Sequence, residues 1–285
     1  MRRALPLVAL LALVPAAAAQ EPPPAPPPAP APPAGQPAPP VEPAPAAPDP
    51  CRDDPSLLCP DLTMAPPGRF DLDRTRRGRL VLRAENRIVN IGQGAMEVRA
   101  RRDPRTGRFG EAEQVIRRRD GREPLRLPGA GRVTFKFVDG YRGSYWKYAA
   151  AARFELWRTD ASGARTTLRR TGPKLAYCLR DLRRVRPLAR SPRRAVFPAC
   201  SQVRVRDRVR LGTSVGWADI YPFAYPENWI DVTGLRGCYA FVHRADPLGR
   251  LTEIREDNNL GVRLISLPPR AGSVAPRGSC ARAAG

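Results

Sequence analysis

The sequence predicts an all-β domain, an antiparallel β-sandwich with long loops. Two observations carry that expectation. Apolar and polar residues alternate in short runs, and glycine, proline, asparagine or aspartate closes most of them. No stretch of helical length carries a convincing apolar stripe. All six cysteines lie beyond position 50, an even count that in an exported chain argues for disulfides rather than metal thiolates.

The first fifty residues stand apart. Met1 to Ala19 places Arg2-Arg3 before a mostly apolar run and ends on Ala17-Ala18-Ala19, the pattern of a signal peptide with an Ala-x-Ala cleavage site. Residues 20–50 are mostly proline and alanine, too poor in bulky apolar side chains to bury a core, and read as an extended spacer. Residues 51–285 are long enough for one domain with a sizeable core. The expected location is secreted or periplasmic, with no transmembrane segment in the mature chain. Six cysteines permit many pairings. The preferred set is Cys51–Cys59, Cys178–Cys200 and Cys238–Cys280, the first two because they close short loops.

Within the domain, Leu80 to Ile91 partly alternates, with Leu80, Leu82, Ala84 and Ile88 on one face. Asn90, Gly92 and Gly94 then turn the chain into Ala95 to Val98. Short strands follow at Glu113–Arg118, Val133–Phe137, Arg153–Trp157 and Thr166–Arg169. Val203 to Leu211, VRVRDRVRL, alternates with strict period two, broken on its apolar face only by Asp207, and predicts a strand with a solvated arginine face. Trp229 to Val232, Cys238 to His243 and Leu260 to Ile265 complete the set. In Glu253 to Asn259 the asparagines predict a turn through their tolerance of left-handed backbone, ahead of a calcium site built on the same carboxylates and amides.

The formal net charge is +22, carried by arginine, since lysine occurs only at Lys136, Lys147 and Lys174. A charge spread this widely reads first as a solvated shell. An anionic partner outside the cytoplasm would be an envelope polymer or lipid head groups, with nucleic acid the weaker candidate. One histidine, His243, excludes H-E-x-x-H zinc chemistry, and no phosphate-loop glycine pattern appears.

Two stretches concentrate the chemistry. Gly172-Pro173-Lys174-Leu175-Ala176-Tyr177-Cys178-Leu179-Arg180-Asp181 places a lysine ahead of C-L-x-D. Gly216-Trp217-Ala218-Asp219-Ile220-Tyr221 leads through Pro222 and Pro226 into Trp229-Ile230-Asp231-Val232-Thr233. Together they resemble the lysyl oxidase family, particularly its bacterial members. Pro60-Asp61-Leu62, the run Arg87 to Gly94 and the Glu253 to Asn259 turn also resemble stretches of that family. The resemblance implies a lysyl oxidase-like fold. It further implies a copper amine oxidase that uses a lysine tyrosylquinone made from Lys174 and Tyr221, with Asp219 a candidate general base.

The copper ligands are where the resemblance fails. The family's H-x-H-W-H falls on Gly143-Ser144-Tyr145-Trp146-Lys147, so Gly143, Tyr145 and Lys147 stand at the three histidine positions. Copper in such a site is held by several imidazoles, and a lone histidine is more often packed or on the surface than a ligand. The expectation is therefore no metal and no quinone, with Lys174 and Tyr221 left unmodified, either paired as amine and phenol or standing as ordinary loop and strand residues, and Asp219 capping a turn. The reading is an exported structural or binding module. The alternative is oxidation of primary amines by copper and a Lys174–Tyr221 quinone. A surface this basic argues against cationic amine substrates.

Overall fold

A computed structural model describes residues 48–141, 143–173, 175–268 and 280. The signal-peptide and nearly all of the spacer expectations, and the side chain of Lys174, lie outside the described residues. Where the described residues begin, Asp49 N-caps a single helical turn, Pro50–Asp53, by accepting the Cys51 amide at 3.1 Å. Proline in the first turn of that helix leaves no intrahelical bond missing.

The remainder is antiparallel β in three sheets. One runs in the order Arg165–Thr171, Gly143–Thr159, Gly237–Ala245, Leu260–Leu267, with Val133–Val138 and Leu175–Tyr177 also on the long central strand. A second is built on Leu80–Asn90, flanked by Trp217–Tyr221, Trp229–Asp231, Leu62–Met64 and Gly68–Arg74, with Arg183–Arg184 at its edge. The third orders Leu57–Leu58, Glu113–Arg118, Met96–Arg101 and Arg208–Thr213, with Leu125–Leu127 on Glu113–Arg118.

Alternation explains why these runs become strands. In Leu80–Asn90 the side chains of Leu82, Ala84, Asn86, Ile88 and Asn90 are buried while Arg83, Glu85 and Arg87 are less so. They meet Phe154 and Leu156 from the first sheet and Met96 and Val98 from the third in one continuous core. Burying side chains of that size contributes about 1.5–3 kcal/mol each. All three preferred disulfides are present, at Cα separations of 5.6–5.8 Å. Among the described residues no helix is long and apolar enough to cross a membrane.

The Asn90 turn holds more than its own hairpin. Its side-chain oxygen accepts the amides of Asp61 and Gly92, and its nitrogen donates to the carbonyls of Gly94 and Thr213. One amide thus ties three chain segments with its hydrogen-bonding groups satisfied. Gly94 is required by close approach, because a Cβ there would lie 2.0 Å from the Leu58 carbonyl oxygen.

Two expectations are corrected. Val203 to Leu211 is not one strand: the ladder begins at Arg208, and Val203 and Val205 are 60% and 82% exposed. Arg102 donates to the carbonyls of Arg204 and Arg206, and the Trp146 indole to that of Val203, so side chains take the bonds that a neighbouring strand would make. The asparagines near 258 also work differently, since neither has a left-handed backbone. Asn258 donates to Asp61 Oδ1 at 2.6 Å and Asn259 to Glu253 Oε1 at 2.9 Å, while the other Glu253 oxygen accepts the Leu62 amide. Side-chain hydrogen bonding therefore fastens this turn to Pro60-Asp61-Leu62.

Candidate functional site

The Lys174 and Tyr221 stretches meet through a clamp. Tyr221 and Asp219 lie at alternate positions on Trp217–Tyr221, so both project toward the chain leaving Leu175–Tyr177. The Tyr221 hydroxyl accepts the Cys178 amide at 2.6 Å, and Asp219 Oδ2 accepts the Leu179 amide at 3.1 Å. Leu179 has a left-handed φ of 48°, a bend held by these contacts. Two residues on, Asp181 accepts the amides of Val196, Phe197 and Ser214 and the Ser214 hydroxyl. The C-L-x-D run is thereby fixed to two other segments of the chain.

Beside the clamp lies a cavity of about 330 Å³, lined among others by Tyr141, Tyr145, Lys147, Arg180, Tyr221 and Tyr225. Tyr145 and Lys147 reach it because they are two apart on the long strand Gly143–Thr159 and share a face. Tyr221 stacks on Tyr177 at 3.7 Å and meets Tyr225 edge-on at 4.8 Å. Lys147 is 3% exposed; its amine donates to the Tyr225 hydroxyl and, at 3.2 Å, to the Ala176 carbonyl. It lies 5.0 Å from the Tyr225 ring centroid and 6.0 Å from that of Tyr221, within cation–π range.

Burial dominates the electrostatics. It pushes the Lys147 ammonium down to about 8; Glu227 and Asp219 pull it back up, while Lys136 and Arg180 oppose it further. Burial pushes the Asp219 carboxyl up to about 7, against the pull of Arg180, the Tyr221 hydroxyl and the Leu179 amide. Burial also raises the Tyr221 phenol well above its usual value, helped by the Asp219 charge. Asp219 is 1% exposed and is not part of the cavity lining. It does not cap a turn. It sits behind Tyr221 and holds a backbone amide.

Of the expected site residues, Tyr221 faces the cavity and Asp219 backs it. The amine–phenol pair that the structure shows is Lys147 with Tyr225. Sequence reading passed over Tyr225, although a tyrosine between Pro222 and Pro226 signalled a rigidly held aromatic. Nor did it mark Arg180, which alternation alone cannot direct toward a cavity, or Tyr177, which stacks on Tyr221 behind it.

The residues at the three expected ligand positions do not fit copper. Gly143 offers no donor, Tyr145 a single phenol, and Lys147 an ammonium already bonded to Tyr225 and Ala176. His243 packs elsewhere, fully buried, stacked on Phe154 at 3.9 Å and edge-on to Phe241 at 4.9 Å. Burial pushes its imidazole down to about 3. Of the two ordinary placements expected of a lone histidine, surface or packed, it takes the packed one. Among the described residues, no three His, Cys, Asp or Glu side chains gather closely enough to hold a metal. The chain matches no family model, and no curated protein matches it.

Proposed function

We propose that this is an exported, lysyl oxidase-like protein that works as a binding module in place of a copper oxidase. The observation that carries the reading is the Lys147 amine, buried between two tyrosines at a position where the resemblance asks for a copper-binding imidazole. An ammonium there repels a metal cation; Glu227 and Asp219 offset part of its charge from behind, but among the described residues no carboxylate lines the cavity to attract a cationic amine. Lys147 and Arg180, with the tyrosine hydroxyls, suit a small planar anion of the aromatic carboxylate type. The convergence of Tyr145, Lys147 and Tyr221 on one cavity supports the resemblance in arrangement. Export is supported by the N-terminal pattern and by three disulfides.

The test is to purify the protein from copper-supplemented medium, then measure bound metal, redox-cycling quinone and any covalent link between the Lys174 and Tyr221 peptides. The expected result is substoichiometric copper and two separate, unmodified peptides. Stoichiometric copper together with the cross-link would establish the oxidase instead. Titration with benzoate and benzylamine checks the cavity: benzoate should bind and benzylamine should not, and the reverse order would overturn the ligand class.

A further inference from the structure

The third sheet carries a second concave site, independent of the tyrosine cavity. A cleft of about 890 Å³ runs over its outer face, and seven of the ten lining residues are arginine. Strand register produces this concentration. Arg208 pairs with Arg101 and Arg210 with Arg99 across the antiparallel ladder between Arg208–Thr213 and Met96–Arg101. Like charges directly opposite one another destabilise a sheet. Elsewhere the protein avoids that cost by setting acids among its strand arginines: Arg83 reaches Asp73, Arg87 reaches Glu85, and Arg153 and Arg244 share Glu155.

In the cleft the compensation is incomplete. Glu97, buried beneath the face, holds Arg99 at 2.6 Å, Arg210 at 2.8 Å and Arg117 at 3.8 Å, and Glu113 holds Arg126 at 2.5 Å. Arg101, Arg206 and Arg208 have no ion-pair partner among the described residues, and all three are exposed. Glu97 thus fixes the direction of its neighbours at the cost of one charge, and the walls keep a large cationic surplus. Arginines rooted on one sheet face, with backbone positions about 4.8 Å apart between strands and about 7 Å along one, match a ligand with several anionic groups in series. Guanidinium favours phosphate through paired N–H donors.

We infer that this cleft binds a ligand carrying closely spaced phosphate groups, seated across the Arg101–Arg208 and Arg99–Arg210 pairs. A concave cleft of this volume suits a phosphorylated chain or head group that enters it, more than the flat face of a duplex. The phosphates could belong to a soluble polymer or to lipid head groups, and the experiment separates these sources.

Binding of a fluorescent short-chain polyphosphate is measured by anisotropy at two salt concentrations. Cosedimentation with phosphatidylglycerol vesicles, against phosphatidylcholine vesicles, forms the second arm, and a DNA duplex of matched charge the third. The variants are the double substitution Arg101→Ser with Arg208→Ser, and Arg206→Ser alone. A control removes Arg169 and Arg170 from the exposed strand Arg165–Thr171. Arg206 lies outside the ladder and only its carbonyl is used, by Arg102, so its variant tests the site even where the double substitution disturbs strand pairing. The double variant should weaken polyphosphate or phosphatidylglycerol binding at least about tenfold, and Arg206→Ser severalfold, with the control near the parent. Whichever arm shows that loss identifies the source. Equal loss in the control, no loss in the cleft variants, or tighter binding of duplex than of both other probes would overturn the inference.

Discussion

Replacing Lys147 by methionine tests the electrostatics of the cavity directly. Burial holds the Lys147 amine at about 8 against an ordinary 10.5. The unfolded chain therefore keeps its proton to higher pH than the folded chain does. Between about pH 8 and 10.5 the unfolded state binds more protons at this site, so this site's contribution to stability rises with pH across that window. Below pH 8 both states are charged and the full penalty of burying the ammonium applies. At roughly 1.4 kcal/mol per pKa unit, the parent should gain roughly 2–3 kcal/mol from this site between pH 7 and 10. In Lys147→Met that gain disappears. The variant also loses the hydrogen bonds to Tyr225 and Ala176, a cost of about 1 kcal/mol each, but that cost does not vary with pH. The quantity to measure is therefore the stability difference between variant and parent, by urea unfolding followed through tryptophan fluorescence at pH 7, 8, 9 and 10. The tyrosines ionise alike in parent and variant, so their contribution cancels in the difference. The difference should shift by roughly 2–3 kcal/mol in the parent's favour over the series. A constant difference would mean an amine of ordinary acidity, and the account of this cavity as a site built around a buried cation would fail.

Three further outcomes follow from single residues. His243 is the sole histidine, so its ring protons are an unambiguous NMR signal: they should not titrate between pH 8 and 5, and a midpoint near 6.5 would contradict its burial. Because its folded value is depressed, stability is lost as pH falls from about 6.5 toward 3, and His243→Phe should relieve that loss in urea melts compared at pH 7 and 4. Asp181→Ala strands the amides of Val196, Phe197 and Ser214, a loss of about 3–5 kcal/mol, and Tm should fall by roughly 10 °C; a fall of under about 3 °C would show that water replaces the carboxylate. Gly216→Ala should fail to give soluble protein, because φ is +74° and the new Cβ would sit 1.8 Å from the Arg186 carbonyl oxygen. A variant with parental Tm would refute that close approach.

The antiparallel β class was legible because its signal is local. Alternation with period two needs only one strand, and Leu80–Asn90 displays it without reference to any partner. Loop length favoured two of the disulfide pairs for the same reason, and all three preferred pairs are present. The two stretches at Lys174 and Tyr221 were marked as a site by their resemblance to the lysyl oxidase family. How Tyr221 is used was not, since the hydroxyl's partner is the Cys178 amide.

Local pattern misled at Val203–Asp207, where alternation was present but the ladder begins only at Arg208. It also misled at Asn258 and Asn259, whose side chains bond to Asp61 and Glu253. Lys147 looked like a missing ligand, and only the meeting of Gly143–Thr159 with the Tyr225 loop made it a buried amine. The arginine cleft arises when register sets Arg101 opposite Arg208. A sequence states which face of a strand is apolar, and by itself that determined this protein's layers. Which strand lies opposite, and at what offset, depends on the packing of the whole core. Charges and hydrogen bonds act over a few ångströms, so folding alone decided which of them meet.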